Sequence, residues 1–263
     1  MAPDLLKVTG GAESAAAKEA PVDNTMLIAM QTQRVLQRRL DVAAGNLANA
    51  ATSGFKRDSL VFQMIDDTKA RASDKPNDVR FVRDVAMARD MGQGPLERTG
   101  NSLDIAIQGD GFFTVQGAQG TLYTRDGTFR LGVDGALLTR DGLPVLNVQG
   151  QPIVFDPQGE IPSIDALGTL RVNGEVIGDI AVVAFERPAA LAKVGDNLFS
   201  SEGQPTRAFT GEVVQGALEG SNVRPVTELT SLIEISRAYE SAARVARQAD
   251  DLRSRAIERL GRA

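Results

Sequence analysis

The feature that most constrains this chain is a pair of apolar helical stripes, one near each end, separated by a long middle broken every few residues by turn signals. From Asn24 to about Ala51 there is no Pro and a single Gly, Gly45. Leu36, Leu40, Ala43, Leu47 and Ala50 recur at steps of four and three, the spacing of one helical face. Asp23 or Asn24 can cap the start by accepting backbone N–H bonds, and Thr52, Ser53 and Gly54 supply a stop. The pattern returns from about Asn222 to Leu260, with Ser221 or Asn222 as the cap and Pro225 where a first turn tolerates it. Ile235, Ala238, Ala242, Val245, Ala249, Leu252 and Ala256 form one stripe there; Leu229, Leu232, Ser236, Tyr239, Ala243 and Ala246 form a second beside it.

At 1.5 Å per residue these helices would run roughly 40 Å and roughly 55 Å, so they need partners along their length. Two arrangements provide them: an antiparallel hairpin inside one monomer, or packing between subunits. The many Ala positions bury little surface, which makes a lone pair marginal and favours assembly.

Between the stripes, Asp110-Gly111, Asp126-Gly127, Asp134-Gly135, Asp141-Gly142 and Asn173-Gly174 mark tight turns. Strands are expected over Ser102 to Ile107, Phe112 to Val115, Leu122 to Arg125, Thr128 to Leu131, Ala136 to Thr139 and Ile180 to Phe185. The expected fold class is α+β: long N- and C-terminal α-helices forming a coiled-coil-like helical domain, with a central antiparallel β-rich domain. The corresponding divisions are a disordered lead-in over 1–22, the N-terminal helix over 23–54, a linker or extended arm over 55–98, the β-rich domain over 99–220 and the C-terminal helix over 221–263. Asp66 to Asp78 reads as a loop, and Phe81 to Met91 fits strand or helix equally.

Composition removes most enzymatic chemistries. With no Cys there is no thiol nucleophile or zinc-thiolate site, and with no His the commonest general base and transition-metal ligand is missing. A carboxylate enzyme would have to use pairs such as Asp104 with Asp110 or Asp126 with Asp134. Asp110, Asp126 and Asp134 directly precede Gly in expected turns, however, and no Trp and only two Tyr are available to stack on sugars. No calcium loop, phosphate-binding loop or nucleophile elbow is present, so no catalytic residue, cofactor or metal is expected. A net charge of -5 without a basic stripe argues against nucleic acid as a partner, and the apolar runs are too short for an integral membrane protein. Met1 to Val22 lacks the basic start and apolar run of a secretory signal.

Specific residues then bring in a family. Asp23-Asn24 opening a helix, followed by the continuous block from Arg39 through Gly45-Asn46 to Ser53-Gly54-Phe55-Lys56-Arg57, closely resembles the N-terminal signature of bacterial flagellar rod and hook proteins. Thr99 to Ile107, Gly109 to Phe113 and Tyr123 to Gly127 are similar to its central β domain; Leu218 to Val223 and Ile233 to Glu240 resemble its closing helix. Two departures stand out. Gly45 occupies a position where the family often has Asn, at a helix-interior cost of ~1 kcal/mol that predicts a bend or close contact there. Residues 1–22 are extra, and if Val22 corresponds to the usual initiator, an intact mass of the native protein would lack them.

The resemblance is greatest to the proximal rod branch, with the distal rod branch and a non-flagellar adaptor bearing a helical hairpin as alternatives. It implies a structural subunit of the basal-body rod in the periplasm, partnered by itself, by other rod subunits and by the flagellar type III export apparatus. It also implies polymerisation through the terminal helices. On that reading Leu36, Leu40, Leu47, Leu232, Ile235, Tyr239, Val245 and Leu252 are the subunit-packing residues.

Overall fold

The computed structural model describes residues 24–64, 82–156, 159–160 and 162–261. The expected lead-in, the loop expected over 66–78 and the cap candidate Asp23 lie outside the described residues, in the loop's case entirely.

Helix α1 spans Asn24–Ala48 and helix α2 spans Pro225–Leu260. α1 ends at Ala48, before the Ala50 that its apolar spacing reaches; Asn49 donates its backbone N–H and its Nδ2 to the Gly45 carbonyl, at 3.2 and 2.8 Å, in the last turn. Thr52 to Gly54 form the turn that follows. α2 begins with Pro225 in its first turn and no side-chain cap on Arg224; Glu228 puts a carboxylate at the helix's positive end. Ser221 and Asn222 lie upstream and serve other contacts.

The expected coiled-coil-like domain of two long helices does not form. One long C-terminal helix of 36 residues carries a shorter one of 25 against part of its length, and the remainder is a strand-rich body. Among the described residues, the seam's apolar cluster holds Leu36, Ala43 and Ile235 as buried residues, edged by Leu40, Leu232, Tyr239 and Ala242. On α2 this seam uses positions from both stripes, because α1 lies along the valley between them. Apolar spacing marks which face of a helix is greasy; it does not say how far a partner extends. The close contact expected at Gly45 is not seen within the chain: a Cβ built there meets nothing within 4 Å.

In the body, every strand pair among the described residues is antiparallel. The largest sheet has six strands in the order Ala192–Gly195, Leu198–Ser200, Gly120–Thr124, Phe112–Gly117, Val182–Phe185, Thr206–Ala208. Its central strand is covered on both sides. Phe113 and Val115 point into the main core with Ile105, Ile107, Phe129 and Val145, while Phe112 points the other way, against Tyr123, Phe185, Leu191 and Phe199. Burial on both faces explains why Phe112 to Val115 reads as a nearly continuous apolar run rather than an alternation.

The turn at Asp126-Gly127 works differently from a positive-φ hairpin. A Cβ on Gly127 would lie 1.6 Å from the Ile105 carbonyl oxygen, so Gly is required there by close approach of two backbones. The undecided stretch near Phe81 is the strand Val82–Arg89, paired with Asp58–Met64. Two further pairings decide where the helices attach. Leu96–Arg98 pairs with Ala217–Glu219, and Ile105–Gln108 with Glu212–Gln215, so the limb leaving the body runs beside the limb entering it. The end of α1 and the start of α2 are thereby brought to one place, an elbow between the helices and the body.

Candidate assembly surface

At the elbow, four stretches of chain close around one carboxylate. Glu219, fully buried, faces Lys56 Nζ at 2.6 Å and Arg125 Nη1 at 3.0 Å, and accepts the Gly94 N–H at 2.9 Å. Lys56 also donates to the Gly92 carbonyl and Arg125 Nη2 to the Gly109 carbonyl, each at 2.8 Å. Burial holds Lys56 below the ordinary lysine value and Arg125 below the ordinary arginine value, against the opposing pull of Glu219 in each case. Gly54 donates its N–H to the Glu219 carbonyl at 2.7 Å; its φ is +67, and an added Cβ would come 2.5 Å from the Asp126 nitrogen.

Side-chain amides bind the same region to backbone. Asn46, near the end of α1, donates to the Asp58 carbonyl at 2.8 Å and accepts the Asp58 N–H at 2.9 Å, pairing helix to strand as a peptide group would. Asn222 accepts the Arg57 N–H at 2.7 Å and donates to the carbonyls of Asp90 and Gly92. Arg57 Nε pairs with the buried carboxylate of Glu228 in the first turn of α2. Asp58 receives Arg89 at 3.0 Å and Lys193 at 3.3 Å. A cleft of about 420 Å³ opens here, lined by Arg39, Asn46, Asp58, Glu228, Ser231 and Ile235 among others, and both of its carboxylates are held by these cations.

The eight expected packing residues divide into two groups. Leu36 and Ile235 are buried in the seam between α1 and α2, with Leu40, Leu232 and Tyr239 at its edge. Leu47 is half-buried, while Val245 and Leu252 are exposed, Leu252 by 67%. Also exposed on α2 are Val226 (79%) and Ile257 (61%), and on α1 Ile28 and Met30. The helices thus present a broken band of apolar surface to solvent.

The charged and amide residues of the elbow were not singled out as functional from the sequence. The available signal was weak but real: Asn46, Lys56, Arg57, Arg125, Glu219 and Asn222 all stand inside the blocks that carry the family resemblance. Asp126 and Asp134, weighed as catalytic acids, each accept a backbone N–H two residues on, from Thr128 at 3.0 Å and Ala136 at 3.3 Å. Among the described residues no group of three or more Asp or Glu is placed to hold a metal ion.

Three stretches of the chain match known family profiles: a flagella basal body rod protein profile over residues 26–56, a flagellar hook protein FlgE/F/G D1 domain over 106–172, and the C-terminal region of the flagellar basal body rod FlgEFG proteins over 214–259. The chain is 39% identical to the flagellar basal-body rod protein FlgF of Caulobacter vibrioides, covering 92% of this chain and 99% of that one. The chain belongs to the flagellar basal-body rod protein family. It is 35% identical to FlgF of Mesorhizobium japonicum, over 91% of this chain and 99% of that one. To the rod protein FlgG of Agrobacterium fabrum it is 34% identical, over 83% of this chain and 92% of that one. The rod profiles at the two ends cover both helices and the elbow residues Lys56 and Glu219, and the hook-type profile covers much of the strand-rich body. As a rod-family protein it is a structural component of the basal body. No described helix is long and apolar enough to cross a membrane.

Proposed function

We propose that this chain is a proximal rod subunit that joins its neighbours through the apolar band its two helices leave uncovered. The observation that carries the reading is the exposure of Val226, Val245, Leu252 and Ile257 on α2, beyond what α1 covers. Each such side chain is worth about 1.5–3 kcal/mol when fully buried, so a few of them shared between copies supply several kcal/mol that the single chain leaves unused. Contacts made by different surfaces of successive subunits generate a helical tube when their rotation does not close a ring. Residues 23–54 and 221–263 form the assembling arm, 55–98 the linking segment and 99–220 the outward body. Leu36, Leu40, Leu232, Ile235 and Tyr239 hold the arm together, and Leu47, Val245 and Leu252 face its neighbours.

The protein is not an enzyme on this reading. The carboxylates nearest the cleft are neutralised by Arg57, Arg89 and Lys193, and the turn residues Asp126 and Asp134 each accept a backbone N–H. Delivery is through the flagellar type III export apparatus; with no Cys, the chain carries no disulfide to be opened before passage. Partners are its own copies and other rod subunits. The distal rod reading rests on relatives named FlgG, which match over a smaller share of the chain.

The test is Leu252→Asp and Val245→Asp in the full-length protein. Both side chains are exposed in the single chain, so the monomer should melt as the wild type does, while incorporation into purified basal bodies and swimming are lost. Wild-type swimming by both variants would overturn the assembly surface. Ile235→Asp is the poorer probe, because Ile235 already lies within the chain's own seam.

A further inference from the structure

The buried charges at the elbow need a reason of their own. Glu219 and Lys56 are 0% and 1% exposed at the side chain, and Arg125 is 2% exposed, so three ions are removed from water with two positive charges to one negative. Removing charges from water costs several kcal/mol per ion, and apolar replacements of similar volume are often as stable or more so. Stability alone is therefore a poor explanation for the cluster. Its geometry is more telling. Lys56 belongs to the exit from α1, Glu219 to the approach to α2, Arg125 to the six-stranded sheet's turn, and Gly92 and Gly94 to the segment after the first hairpin. A single carboxylate meets both cations and the Gly94 N–H only when all four stretches are in register. Apolar contacts are tolerant by comparison, since a slid Leu still buries its surface.

We propose that the Lys56–Glu219–Arg125 cluster is an orientation lock: it specifies the angle at which the helical arm leaves the strand-rich body, and closes only once both ends of the chain have returned to the body. Two neighbouring features fit a joint that must not drift. Gly54 lies against the Asp126 backbone with no room for a Cβ, and a Cβ on Gly94 would meet the Gly220 carbonyl oxygen at 2.0 Å. The apolar seam between α1 and α2 cannot set that angle, because it joins the helices to each other rather than to the body.

The inference stands apart from the rod assignment and is tested on the isolated full-length chain. Because there is no native Cys, two can be introduced for spin labels, at the exposed positions Gln149 on the body and Gln248 on α2. Pulsed electron resonance then reads the arm-to-body distance distribution. Wild type should give one narrow distance. The charge-free combination Lys56→Met, Arg125→Met, Glu219→Leu should melt within a few degrees of wild type yet broaden the distribution about twofold or more. Glu219→Asp keeps the charge but withdraws the carboxylate by one methylene, and should broaden it too. A charge-free variant that folds with the wild-type narrow distance overturns the proposal. Should that variant fail to fold, the decision passes to Glu219→Asp, where an unchanged narrow distance overturns it and a broadened one upholds it.

Discussion

The body and the arm of this protein are held together on different scales. In the body, a cluster that includes Ile105, Phe113, Val115 and Val145, all fully buried, fills one face of the central strand, and a second, mainly aromatic cluster around Phe112 fills the other. Phe113 and Phe129 meet edge to face at 5.1 Å, and Tyr123 and Phe185 at 4.9 Å. In the arm the corresponding list is Leu36, Ala43 and Ile235. The body is built around two well-filled apolar clusters. The arm has a thinner seam and leaves Val226, Val245, Leu252 and Ile257 facing water.

This contrast is open to direct attack. The largest effect should come from Phe113→Ala, which removes a fully buried ring and should cost about 3–5 kcal/mol, seen as a fall in the urea midpoint for the whole body. If Phe113→Ala proved as mild as a surface change, the body would not be the self-sufficient half. Leu36→Ala should do less, about 2 kcal/mol, the low end for a buried Leu, since its seam is thin and its neighbours can collapse. Hydrogen exchange should then show α1 and the seam portion of α2 loosened with the sheets still protected; loss of protection in both regions together would mean that arm and body unfold as one unit. The smallest effect belongs to Gly45→Ala. With open space around its Cβ, Ala should stabilise the isolated chain by about 0.5–1 kcal/mol, measured as a small rise in Tm. A destabilised Gly45→Ala monomer would reveal a constraint at that position within one chain, whereas a stabilised monomer that assembles poorly would place a neighbour against it.

Much of the body was legible because its signals are local. Strands lie within a few residues of where the apolar runs and Gly-containing turns put them, as with Phe112–Gly117 and Leu137–Thr139. Turn aspartates were read as backbone caps from the Gly that follows them, and Asp126 and Asp134 take those contacts. The elbow was not legible in this way. Lys56 and Glu219 are 163 positions apart, and nothing in either neighbourhood marks its charge as buried.

The two helices show most clearly what belongs to the sequence and what to the tertiary structure. Spacing of Leu, Ile and Ala determined that both ends are helical and which faces are apolar, because helical periodicity is a property of consecutive residues. Which of those apolar residues meet within the chain, how soon α1 stops short of α2, and where both are fastened to the body were decided by contacts between distant segments. Asn46 pairing with Asp58, and one carboxylate gathering Lys56 and Arg125, are each a matter of position in space, which no local pattern of residue types encodes.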